Sequence, residues 1–371
     1  MSANKKFTEK GVLISFWMIL FFIIMLSSLA NAQVASKNFA FKIYKVNSLF
    51  YPFVQCYFRT FDLNKNPLVN VNEMNIALMV KGRVYDPFKR QYYIHTRRER
   101  REGFRTVIIL DSSKTMAGKP FKDSINAITK FIKFKKPSDQ VAIIGAKDEV
   151  SIISDFDDNT GNLLMRLSDS KPDGENTHLY DAINRAYEMC AVSSGTDSTA
   201  LGADGSMNYL VGNSVIIFSD GKDEGSKVAI ENIMARIERF IVPIYSVCYS
   251  KIDHKYLKRL ESLSEISLGK YWKDDNTQYF SQVVEQIHDI NNRDYVLTFR
   301  AYLEPDGENH NLKIGIKYEG KVNYSNAEFE AVEIPRNTDQ IKRIIKDFED
   351  SIRPAENNNP YYDKDKEDST N

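Results

Sequence analysis

The chain has 371 residues, 42% of them hydrophobic, which is enough for two ordinary domains. Its 50 Lys and Arg balance 50 Asp and Glu, so no general attraction to nucleic acid or to an anionic membrane surface is implied. Three scattered cysteines, Cys56, Cys190 and Cys248, do not make a disulfide framework and read as buried free thiols.

In chain order, Lys5, Lys6 and Lys10 precede an apolar stretch from Val12 to Leu26, and then Ala30-Asn31-Ala32. A basic start, an apolar centre and an Ala-x-Ala end predict a secretory signal over residues 1–32, with cleavage after Ala32. The alternative is an uncleaved single-span anchor, the only way this chain would meet a membrane. Either way the remainder is expected outside the cytoplasm. Residues 38–103 then hold alternating segments such as "FVQCYFRTF" and "NIALMV" with turns such as "DLNKNP", the pattern of antiparallel β. "DLNKNPLVNVNE" has Pro67 where a calcium loop needs Gly, and reads as a β-turn. The cluster Arg97, Arg98, Arg100 and Arg101 reads as a solvated linker.

Residues 104–293 change character. "TVIIL", "VAIIGA", "SIISDF", "NSVIIFSD", "IVPIYSVCY" and "GKYW" read as strands. Between them Phe121, Ile125, Ile128 and Ile132 recur at helical spacing, as do Leu179, Ala182, Ile183, Ala186 and Cys190. Helical spacing returns at Ile230, Ile233, Met234 and Ile237, at Leu257, Leu260 and Leu263, and at Phe280, Val283, Val284 and Ile287. Apolar strands interleaved with amphipathic helices predict a doubly wound α/β domain with a mostly parallel sheet. The segment "SSGTDSTALGADGSMN", near 193–208, is a long polar loop within it.

Residues 294–335 return to antiparallel β with "YVLTFRAYL", "LKIGIKY" and "AEFEAVEI". One β-sandwich built from both flanks, with the α/β domain inserted in it, is the predicted arrangement; two separate β units are the alternative. Residues 336–353 carry Ile341, Ile344, Ile345, Phe348 and Ile352 as one amphipathic helix, read as packing on its own protein. Residues 354–371 have the composition of a disordered tail.

Chemistry gathers at two strand ends, "IILDSSKT" and "IIFSDGKDEG". Open parallel sheets bind ligands at the carboxyl ends of strands, where the strand order reverses. In an order 3-2-1-4-5-6 the first and fourth strands are neighbours there, so Asp111 and Asp220 are expected to face one crevice. Ser113 and Thr115 lie on the loop after Asp111, and "GENTHLYDAI" offers Thr177 from a third loop. Each hydroxyl alone reads as a helix cap. The five together form an oxygen-only set suited to a hard cation, magnesium or calcium, rather than zinc.

"DSSKT", "NTHLYDAI" and "IIFSDGKDEG" resemble the three loops of the metal-ion-dependent adhesion site of von Willebrand factor A-like domains. The flanking β segments are similar to those of bacterial exported proteins that embed this domain. The resemblance implies a binding module in which Asp111, Ser113, Thr115, Thr177 and Asp220 hold one Mg2+, or Ca2+ or Mn2+ in its place. A partner protein completes the ion's coordination with a Glu or Asp carboxylate. Two departures stand out. Thr115 replaces the usual second Ser, and Lys114 replaces the Gly typical of bacterial members. Lys is strained there if the position needs positive φ, and its charge opposes an ion.

Two other functions remain open. One is a metal-free structural scaffold with the sandwich as its binding part. The other is a phosphate hydrolase that starts on Asp111. That chemistry needs a second Asp two residues on, and Ser113 stands there. No Gly-x-Ser-x-Gly or His-Glu-x-x-His motif occurs, so the chain reads as non-enzymatic.

Overall fold

A computed structural model describes residues 39–194, 211–251, 254–333 and 339–352. The signal or anchor at 1–32, most of the polar loop near 193–208 and the tail 354–371 lie outside the described residues.

The central layer is a six-stranded sheet. Its strands are β6 (Phe104–Asp111), β7 (Gln140–Ala146), β8 (Val150–Asp157), β9 (Gly212–Ser219), β10 (Ile244–Tyr249) and β11 (Lys270–Asp274). They are ordered β11-β10-β9-β6-β7-β8. All neighbours are parallel except β8, which turns back antiparallel to β7. Counted from β6, this is the order 3-2-1-4-5-6, and it makes β6 and β9 neighbours at the reversal.

The apolar run of β6 is explained by burial on both faces. Side chains alternate across a strand, so Val107 and Ile109 enter one core while Ile108 and Leu110 enter the other. The first core is closed by α3 (Leu179–Ser194), α4 (Ile230–Arg239) and α5 (Lys255–Ile266). The second is closed by α1 (Lys119–Phe134), α2 (Thr160–Ser168) and α6 (Phe280–Asn292). Each such fully buried side chain contributes about 1.5–3 kcal/mol. The helices of the two faces present the apolar stripes that their spacing predicts, such as Leu257, Leu260 and Leu263 on α5.

Outside this layer are two four-stranded antiparallel sheets. One contains β1 (Phe39–Phe50), β2 (Phe53–Asp62), β12 (Tyr295–Arg300) and β5 (Tyr92–Thr96), in that spatial order. The other contains β14 (Lys321–Glu330), β13 (Asn309–Tyr318), β3 (Ile76–Val80) and β4 (Arg83–Tyr85). Each sheet takes strands from both sides of the α/β layer, and the two share one core that includes Val54, Cys56, Leu297, Leu312 and Ile314. The last helix, α7 (Asp339–Ile352), sets Ile345, Phe348 and Ile352 against Phe50 and Phe53 on the far face of the first sheet. All three cysteines are buried and unbridged.

The chain passes from sandwich to α/β layer just before Phe104 and returns just before Tyr295. Both crossings are buried and charged. Arg59 of β2 directs all five of its N–H donors inward. Nε and Nη2 grip Asp294 at 2.6 and 2.8 Å. Nη1 reaches the Tyr245 hydroxyl and the Leu268 carbonyl, both at 2.8 Å, and Nη2 also reaches Asn291 at 3.2 Å. Tyr44 donates to the second Asp294 oxygen at 2.9 Å.

The arginine cluster needs correcting at this point. It is not a solvated linker throughout: Arg97 is wholly buried. Its Nη1 meets Glu102 at 2.9 Å, and its guanidinium lies over the rings of Tyr57 and Phe104. Arg100 holds the other Glu102 oxygen at 2.6 Å. A run of Arg with one Glu among aromatics buries its charge because the paired carboxylate offsets the desolvation.

Removing one partner of a buried pair strands the other charge. Arg59→Ala should therefore lower stability by about 3–5 kcal/mol, read as a urea-midpoint shift in the full chain. A loss below about 1 kcal/mol would place this pair among ordinary surface contacts. If residues 104–293 form a self-contained unit, the excised segment should unfold cooperatively. Residues 38–103 alone should not, because both of their sheets lack strands supplied from beyond 294. Cooperative unfolding of 38–103 by itself would argue for two independent β units.

Candidate functional site

The site sits at the carboxyl end of the parallel sheet, where β6 and β9 part. Asp111 is the last residue of β6 and is fully buried. Its Oδ1 accepts from the Ser113 amide at 3.0 Å, from Ser113 Oγ at 2.7 Å and from Thr177 Oγ1 at 3.4 Å. Ser113 Oγ also meets Thr115 Oγ1 at 2.9 Å, and Thr115 is exposed. Ser113 and Thr115 thus lead from the buried carboxylate outward to solvent, while Thr177 stays buried beside it.

Asp111 Oδ2 accepts from Ser219 Oγ at 2.6 Å. Sequence reasoning passed over Ser219 and named only Asp220. The ladder explains why Ser219 is there: Leu110 pairs with Phe218, so the next step places Ser219 beside Asp111. Once β6 and β9 are taken as neighbours, that register is the signal that could have found it. Asp220, one residue on, is also buried, and its Oδ1 accepts from the Lys222 amide at 3.0 Å. The five residues named from sequence converge on one place, with Ser219 as a sixth.

The loops are tied together before any ligand arrives. The Glu224 amide donates to the Thr177 carbonyl at 2.9 Å, and the Tyr180 amide donates to Asp223 at 3.0 Å. Asp181 takes the amides of Lys227 and Val228. His178 packs against Gly225: a Cβ at Gly225, whose φ is 152°, would lie 2.5 Å from His178 Nε2. His178 is therefore a spacer between the Thr177 loop and the Asp220 loop. On the other side, Ser113 bridges Gly174, and the Lys114 amide donates to the Gly174 carbonyl at 2.8 Å.

The expected strain at Lys114 does not arise. Lys114 begins one 3-10 turn, Lys114–Met116, and has no positive φ; the left-handed position of this loop is Gly118, at φ 84°. Nor does its charge face the carboxylates. The Lys114 ammonium is exposed and pairs with Glu175 of the neighbouring loop.

Burial pushes the Asp111 carboxyl from an ordinary 3.8 up to about 6. Hydrogen bonds from Ser219 and Ser113 pull it down, and the like charge of Asp220 pushes it up again. No Lys or Arg pairs with Asp111 among the described residues. The donors are all oxygens, two of them on carboxylates, and this chemistry fits a hard divalent cation such as magnesium. Among the described residues no three His, Cys, Asp or Glu side chains converge. A cation here would therefore depend on the hydroxyls for the rest of its ligands.

Residues 106–222 match the sequence model of the von Willebrand factor type A domain. The matched segment lies wholly within the α/β layer. The match runs from β6 to the loop after Asp220 and so spans all five residues named from sequence. No curated protein sequence matches the chain. Among solved structures, an aerotolerance-related membrane protein from Bacteroides fragilis is 16% identical at a TM-score of 0.38, covering 51% of this chain and 99% of its own. A von Willebrand factor type A protein from Catenulispora acidiphila is 10% identical at a TM-score of 0.43, covering 82% and 76%. The proximal thread matrix protein 1 of mussel byssus, solved with zinc in its adhesion motif, is 11% identical at 0.40, covering 51% and 48%.

The sign of the Asp111 shift sets a pH dependence. In chelator, the folded protein keeps this proton to about pH 6, while the unfolded chain loses it near 3.8. The carboxylate therefore costs nothing below about pH 4, and its cost is complete above about pH 6, reaching about 3 kcal/mol at most. Asp111→Asn removes the charge, and the Ser219 hydroxyl can turn to accept from the new amide. In chelator the variant should gain on the wild type between about pH 4.5 and 6.5 in urea unfolding. A difference that stays flat with pH would show that Asp111 is not desolvated in this way.

Proposed function

We propose that this chain is a protein-binding module that uses one divalent ion, held by Asp111, Ser113, Thr115, Thr177 and Asp220, to capture an acidic residue of a partner protein. The observation that carries the reading is the buried Asp111 carboxylate, ringed by hydroxyls and paired with no cationic side chain among the described residues. Magnesium suits this oxygen set best; calcium or manganese are the alternatives. When bound, such an ion supplies a Lewis-acidic centre with room for one more carboxylate.

The chain's own residues do the rest. Asp111 and Asp220 bring the negative charge. Ser113, Thr115 and Thr177 bring neutral oxygens, so the site holds few full charges and stays receptive to an acid. Ser219 orients Asp111 through its 2.6 Å bond to Oδ2. The reading is binding rather than catalysis, since the position two residues past Asp111 is a serine and not the acid that phosphate transfer of that type requires. The partner is a protein, not a nucleic acid. The proposed setting is outside the cytoplasm, on the basic, apolar and Ala-x-Ala character of residues 1–32. No helix of the described residues is long and apolar enough to cross a membrane.

An ion present at ~100-fold over its dissociation constant stabilises the folded state by about 2.7 kcal/mol. Magnesium should raise the melting temperature and chelator should reverse it. Asp111→Ala should abolish the response, while Ser112→Ala should leave it intact. Calorimetric titration of magnesium into wild type and Asp220→Ala is decisive: equal heats and affinities in the two would sink the metal site.

A further inference from the structure

A polar cleft of about 410 Å³ opens beside the Asp111 loop, within the size range of ligand pockets, about 300–1,000 Å³. Its walls are the β7–β8 hairpin, the end of α2 and the segment that follows α2 as far as Asp173. It adjoins the loop that carries the candidate ion site. Ser112 lines the cleft and stands between Asp111 and Ser113. The Gly174 amide donates to the Ser112 carbonyl at 3.0 Å, so one wall is stitched to the ion-site loop.

The charges of the cleft are unevenly satisfied. Lys147 and Asp173 neutralise each other at 2.8 Å. Arg166 donates through Nη1 to Ser154 Oγ at 3.1 Å and, like Lys171, forms no ion pair among the described residues. Asp169 is the remaining acid of the lining, which so carries three cations against two anions; Arg166 also acts on Asp157 outside the cleft, and Lys171 on Asp173. The Ser170 hydroxyl is buried with no hydrogen-bond partner among the described residues. A buried donor left unmet and a surplus of cations both suit an anionic, hydrogen-bonding occupant.

The geometry points to a second anchor for the partner proposed above: the cleft takes the residues flanking the ion-bound acid and engages a second carboxylate through Arg166 and Lys171. This inference rests on the ion-bridged reading and makes it more specific. The recognised partner is an acidic segment with two carboxylates a few residues apart, not a lone acid. A single carboxylate on an ion discriminates poorly, since every exposed Glu or Asp offers one. A second charge at a set distance adds specificity without a large apolar surface.

The test uses the full chain and two fluorescein-labelled Gly/Ser peptides, one with a single Glu and one with a second acidic residue a few positions on. Binding is read by anisotropy at low salt with magnesium. The two-acid peptide should bind more tightly. In the Arg166→Ala/Lys171→Ala variant it should lose about fivefold and fall to the one-acid level. Single-acid binding and the calorimetric magnesium titration should not change. The Arg166→Lys/Lys171→Arg variant should restore the preference. Both side chains are exposed, so the fold should tolerate the changes. Equal losses for both peptides, or none for either, would overturn the cleft contact. A two-acid preference of the same size in chelator would uphold the cleft and count against the ion bridge instead.

Discussion

The architecture depends on the buried grip of Arg59 on Asp294. Asp294 stands where the chain leaves the α/β layer, and Arg59 reaches it from the second strand of the sandwich, 235 positions earlier. The same guanidinium also ties down Tyr245 of β10, Asn291 of α6 and the Leu268 carbonyl. One side chain therefore sets the position of the sandwich against a strand, a helix and a loop. Arg97 and Glu102 repeat the device at the entry crossing. Buried ion pairs add little net stability over a well-packed apolar contact, but half of one is strongly unfavourable. The Arg59 pair forms only when the sandwich and the exit from the α/β layer meet as they do here, whereas the Arg97 pair is local to the entry segment.

The opposite end of the sheet follows a contrary rule. At the junction the buried guanidinium groups meet carboxylates of the chain itself, Arg59 on Asp294 and Arg97 on Glu102. At the crevice Asp111 is as deeply buried as Arg59, yet its neighbours are hydroxyls and another acid. The same burial that goes with paired charges at the junction pushes the Asp111 carboxyl toward its neutral form here. Interlaced loops support this arrangement: the bonds of Asp181, Asp223 and Glu224 hold the Thr177 and Asp220 loops in place. Little ordering remains to be done when a ligand arrives.

Much of this was legible from residue patterns. Alternating burial of Val107, Ile108, Ile109 and Leu110 follows from an apolar strand too short for a helix and bounded by polar residues. The strand order that brings Asp111 and Asp220 together followed from fold class, and the convergence of Thr177 followed from family resemblance. Three things were not legible. Ser219 depends on a register that is set only once β6 and β9 are aligned. Arg97 looked solvated because arginine usually is, and its burial depends on Tyr57, Phe104 and Glu102 meeting around it. Lys114 looked strained because its backbone conformation was borrowed from relatives with glycine, whereas this loop moves the left-handed turn to Gly118.

The position of β6 has a mechanical consequence. Asp111 lies at one end of this strand, and the entry crossing at Gly103 and Phe104 lies at the other. A partner pulling on the crevice would load β6 along its own axis, directly toward the sandwich. On both sides β6 is held by parallel ladders to β7 and β9. Tension along the strand must then shear many hydrogen bonds at once instead of peeling them one by one. A pull along this strand should therefore be resisted until many bonds yield together.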